Sequence, residues 1–330
     1  MTRAGSPVPT TSDSKAVAIR RPSIGLVLGG GGARGLAHIL MLEVFDELGI
    51  KPSIIAGTSI GAIFGAAYAS GLSAADIHVH TEEALTRRFD LVRGLIAARA
   101  QGPGQLWNLL AARAQLLDPQ ALLDLVMPKQ VARDFSELAI PLRIVASDYY
   151  ALDAAILSSG SLRPAVAASM ALPVIFEPVT INGRTLIDGG LTNPLPFDII
   201  KEEADIIVAI DVSGVTVVSP KRQRPTAIET LFGASFLFER SIVREKLKSS
   251  QPDIYIDAGT GRYQALEFLK VREIFASAEP AKEQLRVKLQ RVLSTEVLAE
   301  IGPDKDALIE SSPTERAKLS RRRLLKRFRR

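Results

Sequence analysis

Twice near the start of the chain, a short apolar run meets a cluster of glycines and then a helical pattern. Ile24–Leu28 leads into Gly29-Gly30-Gly31-Gly32-Ala33-Arg34-Gly35, after which Leu36, Leu40, Val44 and Leu48 share one helical face and Gly49 is placed to end the helix. Residues 53–56 lead into Gly57-Thr58-Ser59-Ile60-Gly61 and a helix of small residues over 60–70. Apolar runs without alternation belong to strands buried on both faces, and strand–turn–helix repeated in this way argues for a parallel sheet. The expected fold is α/β: three α/β/α layers around a mostly parallel central sheet.

The rest of the chain fits that frame. Further strands are expected at 142–147, 205–210 and 254–256, and Val179–Ile181 and 184–187 flank Asn182-Gly183, the dipeptide preferred in two-residue type I′ hairpins. Residues 1–22, rich in Ser, Thr and Pro, read as a disordered leader; 23–212 form the core, with a helical insertion or cap at about 73–135 broken by Gly102-Pro103-Gly104. In the insertion, Leu95, Ile96, Trp107 and Leu110 alternate with Arg93 and Arg99, which suits an acyl-chain groove, a membrane-docking cap or plain amphipathic helices. Residues 213–312 complete the same domain with helices and a strand, and 313–330 form a basic tail.

Composition removes several chemistries. With 47% hydrophobic residues among 330, a sizeable core is affordable. There is no cysteine, so disulfides, thiolate metal sites and a cysteine nucleophile are excluded. No metal and no cofactor are expected. The net charge of +5 belongs to the tail, because residues 316–330 hold nine Lys or Arg and no acid, leaving the body mildly acidic. Leu319, Leu324, Leu325 and Phe328 interleave with these cations, a pattern suited to anionic lipid; a solvated extension or a nucleic-acid contact is the alternative reading, and no nucleic acid is expected as a functional partner. Without a secretory h-region or a long apolar span, the expected location is cytoplasmic, with peripheral contact at the inner face of the membrane.

Gly30, Gly32 and Gly35 satisfy the dinucleotide pattern G-x-G-x-x-G, but the acid that should follow the next strand is missing, and no Lys-Ser or Lys-Thr supports a P-loop. Consecutive residues without Cβ can instead converge backbone N–H groups on one localised negative charge, such as a transient oxyanion. Gly57-Thr58-Ser59-Ile60-Gly61 matches the nucleophile elbow G-x-S-x-G, with a strand before it and a helix after it. The histidines are His38, His78 and His80, so a triad in the order Ser, Asp, His is impossible. His38 reads as a packing or hydrogen-bonding residue and His78 and His80 as surface residues. A carboxylate at a strand end is then the candidate base: Asp148, Asp188, Asp211 or Asp257. Asp188 stands out because Gly189-Gly190 follow it and Leu186, Ile187 and Leu191 could desolvate it.

The three motifs in this order, together with Ala167-Ala168-Ser169-Met170-Ala171-Leu172-Pro173 and Asn193-Pro194-Leu195-Pro196, resemble the patatin-like phospholipases, in particular short bacterial members related to the neuropathy target esterase catalytic domain. The resemblance covers about residues 23–212. It implies an α/β-hydrolase-related fold and a Ser–Asp dyad in which Ser59 is the nucleophile and Asp188 the base. It also implies an oxyanion hole from the amides around Gly31 and Gly32, and a lipid ester as substrate. Arg34 would brace the glycine loop or meet a phosphate. Plant members often begin the glycine motif with Asp where this chain has Gly29. The rival readings are a nucleotide-binding regulator and a non-catalytic lipid-binding protein on the same fold.

Overall fold

The computed structural model describes residues 22–87, 116–214 and 227–301. At its centre β1(Ile24–Leu28) is buried along its whole length and pairs in parallel with β2(Ile54–Thr58) on one side and β7(Ile206–Asp211) on the other. β3(Leu142–Asp148) and β8(Ile254–Asp257) extend this parallel core outward from β2 and β7. Three antiparallel partners sit at the β3 end: β4(Asp153–Leu157), β5(Val179–Ile181) and β6(Arg184–Asp188). The sheet is therefore mixed, with a parallel majority.

Alternation of side chains across β1 and β2 buries two faces in two different cores. Val27, Ile54 and Ala56 join Ile207 and Ala209 against Phe197, Ile200 and Val243, the last from helix α6(Ala227–Ser249). Leu28 and Ile55 point the other way, towards Gly65 of α2(Ile60–Ala69). α1(His38–Leu48) ends as its sequence requires, with Gly49 left-handed at φ 65°. The remaining helices are α3(Ala74–Arg87), α4(Pro119–Val126), α5(Leu162–Ser169) and α7(Val271–Ile301). Residues 22–291 make one compact unit; of the other, 1–21 with 292–330, the described part is the end of α7. Among the described residues no helix is long and apolar enough to cross a membrane.

The hairpin between β5 and β6 turns at Asn182 and Gly183, both with positive φ, as a type I′ turn demands. β2 runs two residues further than its apolar run, because Gly57 and Thr58 still pair with Ile144 and Val145 of β3. β4 and α5 fall in a stretch for which the sequence pattern assigns no element. Among the described residues β4 pairs with β3 alone and has a mixed burial pattern, so it lacks the apolar signature of the central strands. The described parts of the 73–135 insertion contain the helices α3 and α4, together with a bridge from Leu117 to Phe176; its Gly102-Pro103-Gly104 break, the leader and the basic tail lie outside the described residues.

The edges of β3 decide where the site forms. β4 occupies one edge, opposite residues 144–148. On the other edge β2 stops at Thr58 opposite Val145, and β6 begins its pairing with Asp188 opposite the very next residue, Ala146. Two strands running in opposite directions thus end head to head.

Gly61 lets α2 start where β1 ends: a Cβ there would collide with the Leu28 carbonyl and stand 2.8 Å from the Gly29 carbonyl oxygen, both backbone. Gly61→Ala is expected to destabilise the fold by about 1–3 kcal/mol through overpacking, read as a lower midpoint of thermal unfolding. An unchanged midpoint would show that strand and helix are not held this close.

Candidate active site

Ser59 follows the last residue of β2 and precedes α2, with φ 54° and ψ −119°. A non-glycine residue held there stores backbone strain of about 1–3 kcal/mol, so surrounding bonds must hold it in place. They are present. The Ser59 N–H donates to Ser169 Oγ at 2.8 Å, and Ser169 Oγ donates onward to the Val145 carbonyl at 2.6 Å. The Ser59 carbonyl accepts from the Ala62 and Ile63 N–H groups, opening α2. Thr58 Oγ1 donates to the Asn193 carbonyl at 2.8 Å.

Asp188 ends β6 and is 5% exposed. One carboxylate oxygen accepts from the Gly190 N–H at 2.7 Å; the other accepts from Ser59 Oγ at 2.8 Å. Burial is the main influence on the carboxyl and pushes its pKa up to about 6, against the opposing pull of the Gly190 and Ser59 hydrogen bonds. Gly189 lies against the Val145 carbonyl, and Gly57 against the backbone of Gly61, which closes the distance between the two strand ends.

The glycine loop stands over this pair. Gly29, Gly30 and Ala33 spend their N–H groups on the carbonyls of Ile210, Pro194 and Ala265, at 3.1, 2.9 and 2.7 Å. Between them the Gly31 N–H has no backbone acceptor among the described residues, and Gly31 and Gly32 line a cavity together with Ser59 and Asp188. Gly35 seats the loop's exit against Ile60. Of the two roles open to Arg34, the structure displays bracing: Nε donates to the Gly31 carbonyl at 3.1 Å and Nη1 to the Ser213 carbonyl at 2.7 Å, with the guanidinium 4.8 Å from the centre of the Phe236 ring. His38 is fully buried, and burial pushes its pKa down to about 4, so it is neutral near pH 7. Its Nε2 lies 2.8 Å from the Gly29 carbonyl, which makes it another support of the loop.

The other strand-end acids are engaged elsewhere. Asp148 pairs with Arg184, Asp211 accepts from Ser213, Arg240 and Tyr255, and Asp257 caps Gly259. His78 and His80 are half-buried rather than on the surface, because Glu43 and the Val126 carbonyl hold their rings.

The cavity is largely apolar. Ile60, Phe64, Leu122, Met170, Phe176 and Leu266 contribute to its wall, and its polar side chains among the described residues are Ser59, Thr81, Asp188 and Glu239. Two members of this neighbourhood escape sequence reasoning. Ser169 lies inside a stretch noticed for its resemblance but carries no pattern that marks it as the partner of the Ser59 amide. Glu239 had a usable signal: it stands three residues after Phe236 and four before Val243, a carboxyl on an apolar helical face.

The sequence profile of the patatin-like phospholipases matches residues 26–201, and the chain belongs to that family. An uncharacterised NTE family protein of Mycobacterium tuberculosis is 33% identical over 194 residues, which is 58% of this chain and 50% of that protein. Patatin-like phospholipase domain-containing protein 7 of Rattus norvegicus is 30% identical over 193 residues, 58% of this chain and 14% of that protein. The match thus spans half the length of the mycobacterial relative and a smaller share of the rat one. Among solved structures, VipD from Legionella pneumophila is similar over 82% of this chain and 67% of that one, at 15% identity and a TM-score of 0.43.

Ser169→Ala removes the acceptor of the Ser59 N–H and the donor to Val145 in one step. The expected cost is about 1–3 kcal/mol, the penalty for buried polar groups left without partners, measured by urea unfolding. A variant as stable as the parent would mean that the elbow is held by other contacts.

Proposed function

We propose that this protein is a serine acyl hydrolase of lipid esters, of the phospholipase A or lysophospholipase type, in which Ser59 is the nucleophile and Asp188 the general base. The observation that carries the reading is the 2.8 Å hydrogen bond from Ser59 Oγ to Asp188 Oδ2 at the wall of an apolar cavity. As Ser59 Oγ attacks the ester carbonyl, its proton passes to Asp188. The tetrahedral oxyanion takes hydrogen bonds from the Gly31 and Gly32 amides, each worth about 3 kcal/mol to the transition state. The C–O bond to the alcohol breaks, and the proton moves from Asp188 to the leaving oxygen. Water then repeats the sequence on the acyl-enzyme, with Asp188 again as base.

No histidine is needed because the carboxyl is already raised toward neutrality. A base is most effective when its pKa approaches the working pH, and a buried Asp188 near 6 meets that condition where a solvated aspartate does not. The apolar wall suits an acyl chain, and no described lining residue offers a cation to a nucleotide's phosphates, which disfavours the nucleotide-binding reading. Residues 316–330 supply a second contact with lipid, through their nine cations.

Ser59→Ala is expected to lower turnover of p-nitrophenyl acyl esters by about a thousandfold or more, and Asp188→Asn, nearly isosteric, by a similar factor. Parental activity in either variant would remove that residue from the mechanism. In the parent, kcat/KM should rise with pH through about 6 as Asp188 loses its proton. A profile flat across that range would contradict its role as base. Deleting residues 316–330 should weaken co-sedimentation with anionic vesicles while sparing hydrolysis of soluble esters; equal binding to anionic and neutral vesicles, unchanged by the deletion, would dismiss the tail as a lipid contact.

A further inference from the structure

Glu239, on the sheet-facing side of α6, is 3% exposed. Its carboxyl makes no hydrogen bond to a described residue, and it lines the same cavity as Ser59 and Asp188. Gly190 explains how two carboxyls come to share so small a space. A Cβ at Gly190 would stand 2.9 Å from both the Glu239 carboxyl carbon and Oε1, and 3.1 Å from Asp188 Oδ1. Only a residue without a side chain leaves room for both acids, one on either side of it.

A carboxyl in a buried residue that no described group bonds is short of hydrogen bonds unless something in the space it faces supplies them. Here the open side is the cavity. The charged groups facing Glu239 are Asp188 from the end of β6 and Arg34 from the turn after the glycine loop, with Asp211 and Arg240 acting in turn on Arg34. Two adjacent buried carboxyls cannot both ionise cheaply. Asp188 has the Gly190 N–H and Ser59 Oγ to stabilise its anion, whereas no described residue donates to Glu239. The charge therefore settles on Asp188 and the proton on Glu239. Burial first, and the charge of Asp188 second, push Glu239 up to about 8, with Arg34 pulling the other way.

We propose that Glu239 is a further catalytic residue of this site, a carboxylic acid that donates a hydrogen bond from the cavity wall to an oxygen of the bound ester and, by staying neutral, leaves the pocket's single negative charge on Asp188. The proposal rests on the reading of Ser59 and Asp188 as nucleophile and base. Glu239 transfers no proton: the Ser59 proton still travels through Asp188 to the leaving oxygen. In the transition state the negative charge of Asp188 moves onto the oxyanion, and a neutral donor nearby lowers that energy. Ionised, the same residue would lose its donor and place a second negative charge beside the oxyanion, so turnover falls as Glu239 deprotonates.

The test follows p-nitrophenyl octanoate hydrolysis at the isosbestic wavelength across the pH range, with kcat and KM separated, for the parent, Glu239→Gln, Glu239→Ala and Ser59→Ala. The parent should lose kcat above about pH 8. Glu239→Gln keeps a donor and cannot ionise; it is expected to lower kcat at neutral pH by about tenfold or less and to abolish the alkaline fall. Glu239→Ala should lower kcat by about 10- to 100-fold with KM little changed, the signature of an interaction made in the transition state. An alkaline fall that persists in Glu239→Gln, or parental kcat in Glu239→Ala, overturns the proposal and leaves the dyad standing. Parental turnover in Ser59→Ala overturns the dyad reading and this one with it. Should the Glu239 variants fail to fold, the parent supplies an independent readout: a protonated-carboxyl infrared band present at neutral pH and lost near pH 8 is expected, and its absence at neutral pH overturns the proposal.

Discussion

β2 and β6 meet end to end along one edge of β3, and the site depends on that arrangement more than on any single side chain. Had β6 paired one residue further along β3, its alternation would have turned Asp188 to the opposite face of the sheet. The register of Asp188 opposite Ala146 is fixed where Thr58 stops opposite Val145, so the end of one strand delivers a hydroxyl and the end of the other a carboxyl. Glycines at 57, 61 and 189 allow this convergence by bringing backbone against backbone. The strain at Ser59 is tolerated because Ser169 and the first turn of α2 hold its amide and carbonyl.

From that geometry the electrostatics follow. Sealing a carboxyl into an apolar wall disfavours its charged form, and among the described residues two donors to Asp188 moderate this, one from the backbone and one from Ser59 itself. A richer set of donors would have returned the group to the ordinary carboxylate range and weakened it for the proposed role of base. Around it, two groups that could compete are directed to the glycine loop. Arg34 gives Nε and Nη1 to the Gly31 and Ser213 carbonyls, and His38 places Nε2 beside the Gly29 carbonyl, so that these atoms serve the loop rather than the hydroxyl.

Much of this arrangement is legible in the sequence because its constraints are local. An apolar run followed by glycines and a helical period can be read without knowing what lies across the sheet, and so β1 and the turn at Ser59 stand where the pattern puts them, while α1 begins at His38 after a 3₁₀ turn over Gly32–Ala37 that takes in Leu36. Asp188 is legible for the same reason: a type I′ hairpin with Asn182-Gly183 at its tip, followed by Gly189-Gly190, places an acid at a strand end whatever the rest of the chain does. β2 overran its apolar stretch because its last two pairs depend on β3, a partner distant in sequence. β4 is invisible for a related reason, since its pairing with β3, rather than an apolar pattern of its own, makes it a strand. Ser169 acquires its meaning only through its contact with Ser59, which no spacing along the chain reveals, whereas the spacing of Phe236, Glu239 and Val243 marks a carboxyl on an apolar helical face without showing that it lies beside Gly190.

The central claim is that one hydroxyl, one carboxyl and the glycine-loop amides act as a unit. A crystal structure of the protein after reaction with a fluorophosphonate tests it most directly. The account predicts phosphorus bonded to Ser59 Oγ, the phosphonyl oxygen within hydrogen-bond reach of the Gly31 and Gly32 amides, the alkyl chain along the Phe64 and Phe176 wall, and Asp188 still beside the modified serine. An adduct on another residue, or a phosphonyl oxygen turned away from those amides, would contradict it.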